Sequence, residues 1–167
     1  MVQYNCPTGY ITPYATLLFN TEGGIIRSLI WANRAHAFGF KVFTIPMIGA
    51  FGAYWYFFSA ITYRAAVPTG VFLSSILVGF TVGQIYENAV ENLFGIDNAS
   101  LTALPLILGA ACMLAANTRL SYSIVVLMLE ATGSFTLAIP MILAVFTTKF
   151  VADLMTNSLF DREIRDL

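Results

Sequence analysis

The chain has 167 residues, of which 58% are hydrophobic and 10% charged, and its mean hydropathy is +0.77. Because about a quarter of the residues in a soluble domain are charged, this composition excludes an ordinary soluble protein and indicates an integral membrane protein. The formal net charge of −1 excludes the strongly basic surface that nucleic-acid binding requires.

Residues 1–36 are the least hydrophobic part of the chain. Turn-forming residues occur at Cys6-Pro7 and Thr12-Pro13, and Glu22-Gly23-Gly24 precedes a short apolar pattern. We predict a loop and then a short helix at the membrane surface, followed by a membrane-embedded part over residues 37–167. The single histidine, His36, has no acidic or metal-binding partner nearby in the sequence, so a surface histidine is favoured over a catalytic one.

The two cysteines, Cys6 and Cys112, lie far apart and have no nearby cysteine or histidine with the spacing of a metal site. The favoured interpretation is a membrane-buried Cys112 and a loop Cys6 that pairs outside this segment. The sequence therefore predicts neither a bound metal nor a cofactor.

The segment from Val42 to Tyr63 contains no charged residue and is long enough for one membrane crossing, which takes roughly 20 residues. Small residues at Gly49, Gly52 and Ala53 predict that this helix packs against another one.

The next uncharged segment, which runs to Glu87, is interrupted near its start by Pro68 and Gly70. With Thr69 as a plausible N-cap and an apolar run from Val71, the pattern predicts a helix that begins inside the membrane. The first backbone N–H groups of such a helix lack carbonyl partners, and the helix dipole makes this end electropositive. A site for a small anion is therefore predicted at this helix start.

Farther along the same segment, Gly79 and Gly83 have the GxxxG spacing, and helix packing is the favoured interpretation. The acidic residues Glu87, Glu91 and Asp97 predict an exposed turn after it.

Residues 103–129 resemble one long span that is interrupted at Asn117-Thr118-Arg119. Each side is too short to cross a membrane alone, so we predict a hairpin of two short helices. Glu130 follows the second arm, and an acid at membrane depth is by default a functional candidate. A structural role is nevertheless favoured, either capping a helix end or pairing with Arg119 or Lys149.

Phe135 to Val151 is predicted to be the last membrane segment, with Pro140 inside it. A turn is predicted from Asp153 to Asn157.

Several motifs follow one another along the chain: Gly70-Val71-Phe72-Leu73-Ser74, Leu108-Gly109-Ala110-Ala111, Thr118-Arg119, Met128-Leu129-Glu130-Ala131-Thr132-Gly133, and Lys149-Phe150-Val151-Ala152-Asp153 before Leu159-Phe160-Asp161. The first is similar to the GxFxP signature of the CLC chloride channels and chloride/proton exchangers. The others resemble the O, P and Q helices of that family and the junction between its Q and R helices. The resemblance covers nearly the whole length, in order.

The resemblance implies an all-α membrane protein with broken and re-entrant helices, which forms the second inverted repeat of a CLC-type pore. Residues 37–167 would correspond to helices M to R. The first repeat, with its gating glutamate, and the cytoplasmic CBS domains are not in this sequence, so we expect a fragment of a longer protein.

The resemblance also implies chloride transport, with the anion held by the backbone N–H groups of Val71 and Phe72. Gly70 would allow close approach, and Leu73 would lie toward the outer site. The pore tyrosine of the family aligns with Phe160, which has no hydroxyl to donate. The proline that ends the signature is Ser74 in this chain.

The partners implied are chloride, the lipid bilayer and a second copy of the protein, which would contact segments from Ser123 to Val145. The chain is expected to be a multi-pass component of a plasma or organelle membrane, and the sequence does not separate a voltage-gated channel from an antiporter. An enzyme is not predicted, because Glu130 and His36 do not form a catalytic set. A structural membrane segment without transport is the alternative, and the broken helix argues against it, since a plain scaffold needs no irregular backbone at membrane depth.

Overall fold

The computed structural model describes residues 13–37, 43–64, 70–94 and 104–155. All regular structure within these ranges is helical, which confirms the prediction of an all-α protein. The helices are α1 (Pro13–Leu18), α2 (Glu22–Ala37), α3 (Ile45–Arg64), α4 (Val71–Phe94), α5 (Leu104–Thr118), α6 (Ser121–Thr132) and α7 (Ala138–Met155), and a 3-10 turn (Phe135–Leu137) precedes α7.

Helices α4 and α5 form the central pair of the fold and share its most extensive contact. Helix α3 packs against α4, whereas α7 packs against α5 and α6, and α2 also touches α4. Among the described residues, the largest fully buried side chains are apolar except for Thr16 and Thr81: Leu17, Ile25, Leu29, Ile48, Leu77, Leu106, Leu114, Ile124, Met141 and Val145. The core is therefore built around α4, whose first turn carries the predicted anion site.

Glycines bring α4 and α5 into direct backbone contact. A Cβ atom added at Gly79 would lie 2.5 Å from Ala110 Cα and 2.6 Å from the Gly109 carbonyl oxygen. One added at Gly83 would meet the Pro105 carbonyl oxygen, and one added at Gly109 would lie 2.5 Å from the Gly79 carbonyl oxygen. Only the absence of side chains permits this spacing, so the prediction that the GxxxG pair forms a packing face is confirmed.

Helix α3 covers most of the segment predicted to cross the membrane, Val42 to Tyr63, and its residues Ile45–Tyr63 have the length and composition that a bilayer crossing needs. Phe135–Met155, which contains α7, meets the same criteria. On α3, Gly52 is buried and faces Thr81 of α4, where an added Cβ would lie 2.6 Å from the Thr81 hydroxyl oxygen. Ala53, which was predicted to share this packing face, is instead exposed.

The predicted helical hairpin is present as α5 and α6, with the break at Arg119 and Leu120. Arg119 has a φ of 61°, a left-handed conformation that is uncommon for a residue other than glycine. This conformation allows the chain to reverse direction within the two-residue connection between α5 and α6. Helix α6 ends at Gly133, whose φ of 63° and N–H bond to the Leu129 carbonyl are typical of a glycine C-cap.

Three local predictions require correction. The loop and single short helix predicted for residues 1–36 are, within residues 13–37, two helices, and α1 begins at Pro13, because proline is favoured in the first turn of a helix. Glu87 and Glu91 do not form an exposed turn: they are half-buried residues of α4, which continues to Phe94 because no proline or glycine follows Gly83 before that point.

The third correction concerns the predicted turn from Asp153 to Asn157. Helix α7 continues to Met155, so Asp153 lies in its last turn, and Asn157 falls outside the described residues. Since neither proline nor glycine occurs between Pro140 and Met155, no local residue stops the helix at Asp153.

Candidate functional site

Helix α4 begins at Val71, directly after Gly70, as the sequence predicts. Its first turn contains no acidic residue that would occupy the free N–H groups or cancel the positive end of the helix dipole. Gly70 is exposed, and none of the described residues places an atom within 4 Å of the position that its Cβ would take. Within the described ranges, the space beside Gly70 at the amide end of α4 is therefore open.

The residues after Val71 show that this opening belongs to the first turn and not to the whole helix. Phe72 is 43% exposed and Leu73 is 39% exposed, whereas Ser75 and Leu77 are buried at 1% and 0%. The first turn thus extends beyond the packed core, while the next turn is anchored within it. An amide end of this kind can bind a small anion through N–H groups that carry only partial charge.

Hydrogen bonds tie the next two residues of α4 to both neighbouring helices. The hydroxyl oxygens of Tyr63, on α3, and Ser74 are 2.7 Å apart. The Asn117 side-chain amide, on α5, donates to the Ser75 hydroxyl oxygen at 2.8 Å. Sequence reasoning missed both partners. The only signal is the pair of consecutive serines after the Gly70 motif, and it does not say which residues they contact.

Arg119, two residues after Asn117, is directed toward the end of α7. Its guanidinium donates to the Asp153 carboxylate at 2.7 Å and to the Ala152 carbonyl at 2.8 Å. The arginine side chain is 10% exposed and the aspartate side chain 53%. Arg119 thereby stabilises a helix C-terminus, where positive charge and N–H donors are both favourable.

This contact corrects one of the three structural roles predicted for Glu130, its pairing with Arg119. Among the described residues, the carboxylate that Arg119 binds belongs to Asp153, and Glu130 is exposed on α6. Arg119 lies just before the first turn of α6 and Glu130 lies in its last turn, so most of the length of this helix separates the two residues.

Some predicted residues have no structural description. Phe160 and Cys6 lie outside the described residues, and for Val71 and His36 only the backbone is described. Cys112 is half-buried and has a free thiol. Within the described ranges, no group of three or more His, Cys, Asp or Glu residues is placed to hold a metal ion.

Comparison with known proteins identifies the family. The family model described as voltage gated chloride channel matches residues 6–153. The chain belongs to this CLC family. It is 29% identical over 95% of its length to chloride channel protein D of Dictyostelium discoideum, and 30% identical over 95% of its length to chloride channel protein CLC-b of Arabidopsis thaliana. It is 29% identical over 98% of its length to H(+)/Cl(-) exchange transporter 7 of Mus musculus.

The chain spans 16–20% of the length of these three CLC relatives. Two of these relatives are named as channels and one as a proton/chloride exchanger, so membership of the family is compatible with both transport modes.

Proposed function

We propose that this chain supplies one wall of a chloride pathway through a membrane, within a CLC channel or chloride/proton exchanger. The observation that carries the proposal is the open amide end of α4, which follows Gly70 and has no acid in its first turn. Family membership supports the same assignment, because relatives named as chloride channels and as a proton/chloride exchanger match this chain over almost its whole length.

In this proposal the anion contacts the backbone N–H groups of Val71 and Phe72, Gly70 leaves room for its approach, and Leu73 lies next along the pathway. Amide dipoles suit a transported ion, because they bind it firmly enough for entry and weakly enough for release. A lysine or arginine at the same place would hold chloride longer. Arg119, two residues after Asn117 in the sequence, is instead bound to α7.

The proposal extends to parts of the pathway that lie outside the described residues. Phe160, at the position of the family's pore tyrosine, would contribute no hydroxyl donor, so the anion would depend more on the α4 amides. The transporting form would be a homodimer in a lipid bilayer. Large apolar side chains are exposed between Ser123 and Val145, as a subunit contact in this region requires: Val126, Leu127, Phe135, Ile139, Ile142 and Leu143.

Replacement of Gly70 by valine tests the proposal in the full-length protein reconstituted in liposomes. No described atom lies within 4 Å of the new Cβ, and Gly70 has no left-handed φ, so the fold should accept the side chain. The side chain would, however, fill the space from which chloride reaches the amides. Because a hydrogen bond to a charged group contributes about 1.5–3 kcal/mol, losing one predicts at least a roughly tenfold fall in chloride flux.

Gly23→Val is the matched control, since Gly23 is also exposed and also has no atom within 4 Å of its Cβ position. Its flux should equal that of the unmodified protein. Equal flux in the Gly70 and Gly23 variants would contradict the proposed site and favour a structural segment without a role in transport.

A further inference from the structure

Two hydrogen bonds connect the beginning of α4 to two different helices, α3 and α5. We propose that the residues that make them, Tyr63 and Asn117, are positioning residues for the anion site. The inference rests on the proposed function. In it, the Tyr63–Ser74 and Asn117–Ser75 bonds, called here the two interhelical bonds, set where the amides of the first turn point. Neither tyrosine nor asparagine touches the anion in this arrangement.

The geometry places three helix ends together. Tyr63 is the residue before the end of α3, Asn117 is the residue before the end of α5, and both reach the first turns of α4. Consecutive residues of a helix are separated by about 100° around its axis. Ser74 and Ser75 therefore bond in different directions, so the start of α4 is restrained from two sides.

The glycine contact with α5 cannot by itself give this restraint. Gly79 and Gly83 meet α5 about two and about three turns beyond the Val71 and Phe72 amides, where they set the distance between the helix axes. The helix end can still tilt about that contact. The two interhelical bonds act at Ser74 and Ser75, within about one turn of the Val71 and Phe72 amides, and so limit the tilt where it matters.

The size of the effect follows from the precision that a binding site needs. Groups that bind a ligand must be held within about 0.5 Å of their productive positions. A short helix end that extends beyond the core, with Phe72 43% exposed, has few packing contacts that can supply this precision. Ser75 is 1% exposed, so water does not readily replace Asn117 as its partner.

One partner in the Tyr63–Ser74 bond, Ser74, is the position at which this chain departs from the GxFxP signature. Proline ends that signature and has no side-chain hydroxyl, whereas Ser74 forms a hydrogen bond to the neighbouring helix. In this inference the hydroxyl pair restrains the fourth residue of α4, which a proline would restrain through its fixed φ. Tyr63 and Ser74 together therefore supply the restraint that the proline of the signature would give.

The test measures chloride flux against chloride concentration in liposomes that contain the full-length protein, with Tyr63→Phe, Ser74→Ala and the double variant. Loss of one hydrogen bond predicts that the concentration for half-maximal flux rises roughly threefold to tenfold in each single variant. Because both changes break the same bond, the double variant should show no further rise. Asn117→Ala should produce a separate rise that adds to it.

Two controls separate positioning from general stability. Thr62→Val removes the hydroxyl of the residue next to Tyr63. Within the described residues this hydroxyl donates to the Phe58 carbonyl of α3 itself, so its loss should leave the half-maximal concentration unchanged. Ser74→Thr keeps a hydroxyl and should restore most of the affinity that Ser74→Ala loses. Thermal midpoints in detergent are measured for every variant.

The outcomes distinguish this inference from the proposed function. If Gly70→Val blocks flux but Tyr63→Phe and Ser74→Ala keep the original half-maximal concentration, the positioning role is overturned and the site remains. Lower thermal midpoints with unchanged chloride dependence would likewise reduce the two interhelical bonds to structural contacts and overturn the inference. If Gly70→Val also leaves flux unchanged, the proposed function fails, and this inference fails with it.

Discussion

Replacing Gly79 by alanine should separate the two central helices. The added Cβ would lie 2.5 Å from Ala110 Cα and 2.6 Å from the Gly109 carbonyl oxygen. These atoms belong to the backbone of α5, so they cannot move aside as a flexible side chain does. To reach an ordinary contact, α4 and α5 must move apart by about 1 Å, which opens gaps along the best-packed interface of the fold.

The magnitude follows from the cost of overpacking. Inserting a methyl group into a well-packed contact costs about 1–3 kcal/mol, and a contact between two rigid backbones belongs at the upper end. Helix propensity acts in the opposite direction, because alanine is favoured over glycine in a helix by about 1 kcal/mol. We expect a net loss of about 1–2 kcal/mol at Gly79 after this gain is subtracted.

The assay is the thermal midpoint of the full-length protein in detergent, followed by loss of the monodisperse peak on size-exclusion chromatography. Gly23→Ala is the matched control, since it carries the same propensity gain at an exposed helical position with no atom within 4 Å. Gly79→Ala should lower the midpoint while Gly23→Ala leaves it unchanged or raises it. Equal or higher midpoints in both variants would refute the close backbone contact between α4 and α5.

Three further predictions use the same stability assay. Arg119→Ala should lower the free energy of unfolding by about 2–4 kcal/mol, because a largely buried guanidinium with several partners is lost. Asp153→Asn should lower it by less than about 1 kcal/mol, because that carboxylate is half exposed. Equal losses in the two variants would contradict the assigned roles. Gly133→Ala should lower the free energy of unfolding by about 1–2 kcal/mol, because a side chain is strained at the left-handed φ of 63°. An unchanged thermal midpoint would argue against the left-handed cap. Gly52→Val should lower the midpoint more than Gly49→Val, since only the Gly52 Cβ position meets Thr81 closely; the reverse order would exclude the assigned face of α3.

Much of the architecture was predictable because its signals are local. A charge-free run of sufficient length marks α3, and Pro68 and Gly70 mark the start of α4 at Val71. The polar residues Asn117 to Arg119 mark the end of α5, which stops at Thr118 before the break at Arg119 and Leu120. Each of these features depends on residues within a few positions of the boundary. The GxxxG pair belongs to the same class, although its partner, Gly109, could not be named from spacing alone.

The contacts that organise the candidate site were not predictable, because they depend on how distant segments meet. The sequence suggested Glu130 as a partner of Arg119, and the two residues are not paired. Arg119 bonds to Asp153, 34 residues away, because α7 returns alongside α5. Asn117 reaches Ser75 across 42 residues for a similar reason. No periodicity in the chain encodes either pairing.

The central claim is that chloride binds at the amide end of α4, and the most direct test is anomalous diffraction from crystals of the full-length protein soaked in bromide. Bromide resembles chloride in charge and scatters strongly enough to be located. The account predicts an anomalous peak within hydrogen-bonding distance of the Val71 and Phe72 backbone nitrogens, which disappears in the Gly70→Val variant. Bromide peaks elsewhere in the membrane region, with none at the start of α4, would contradict the account.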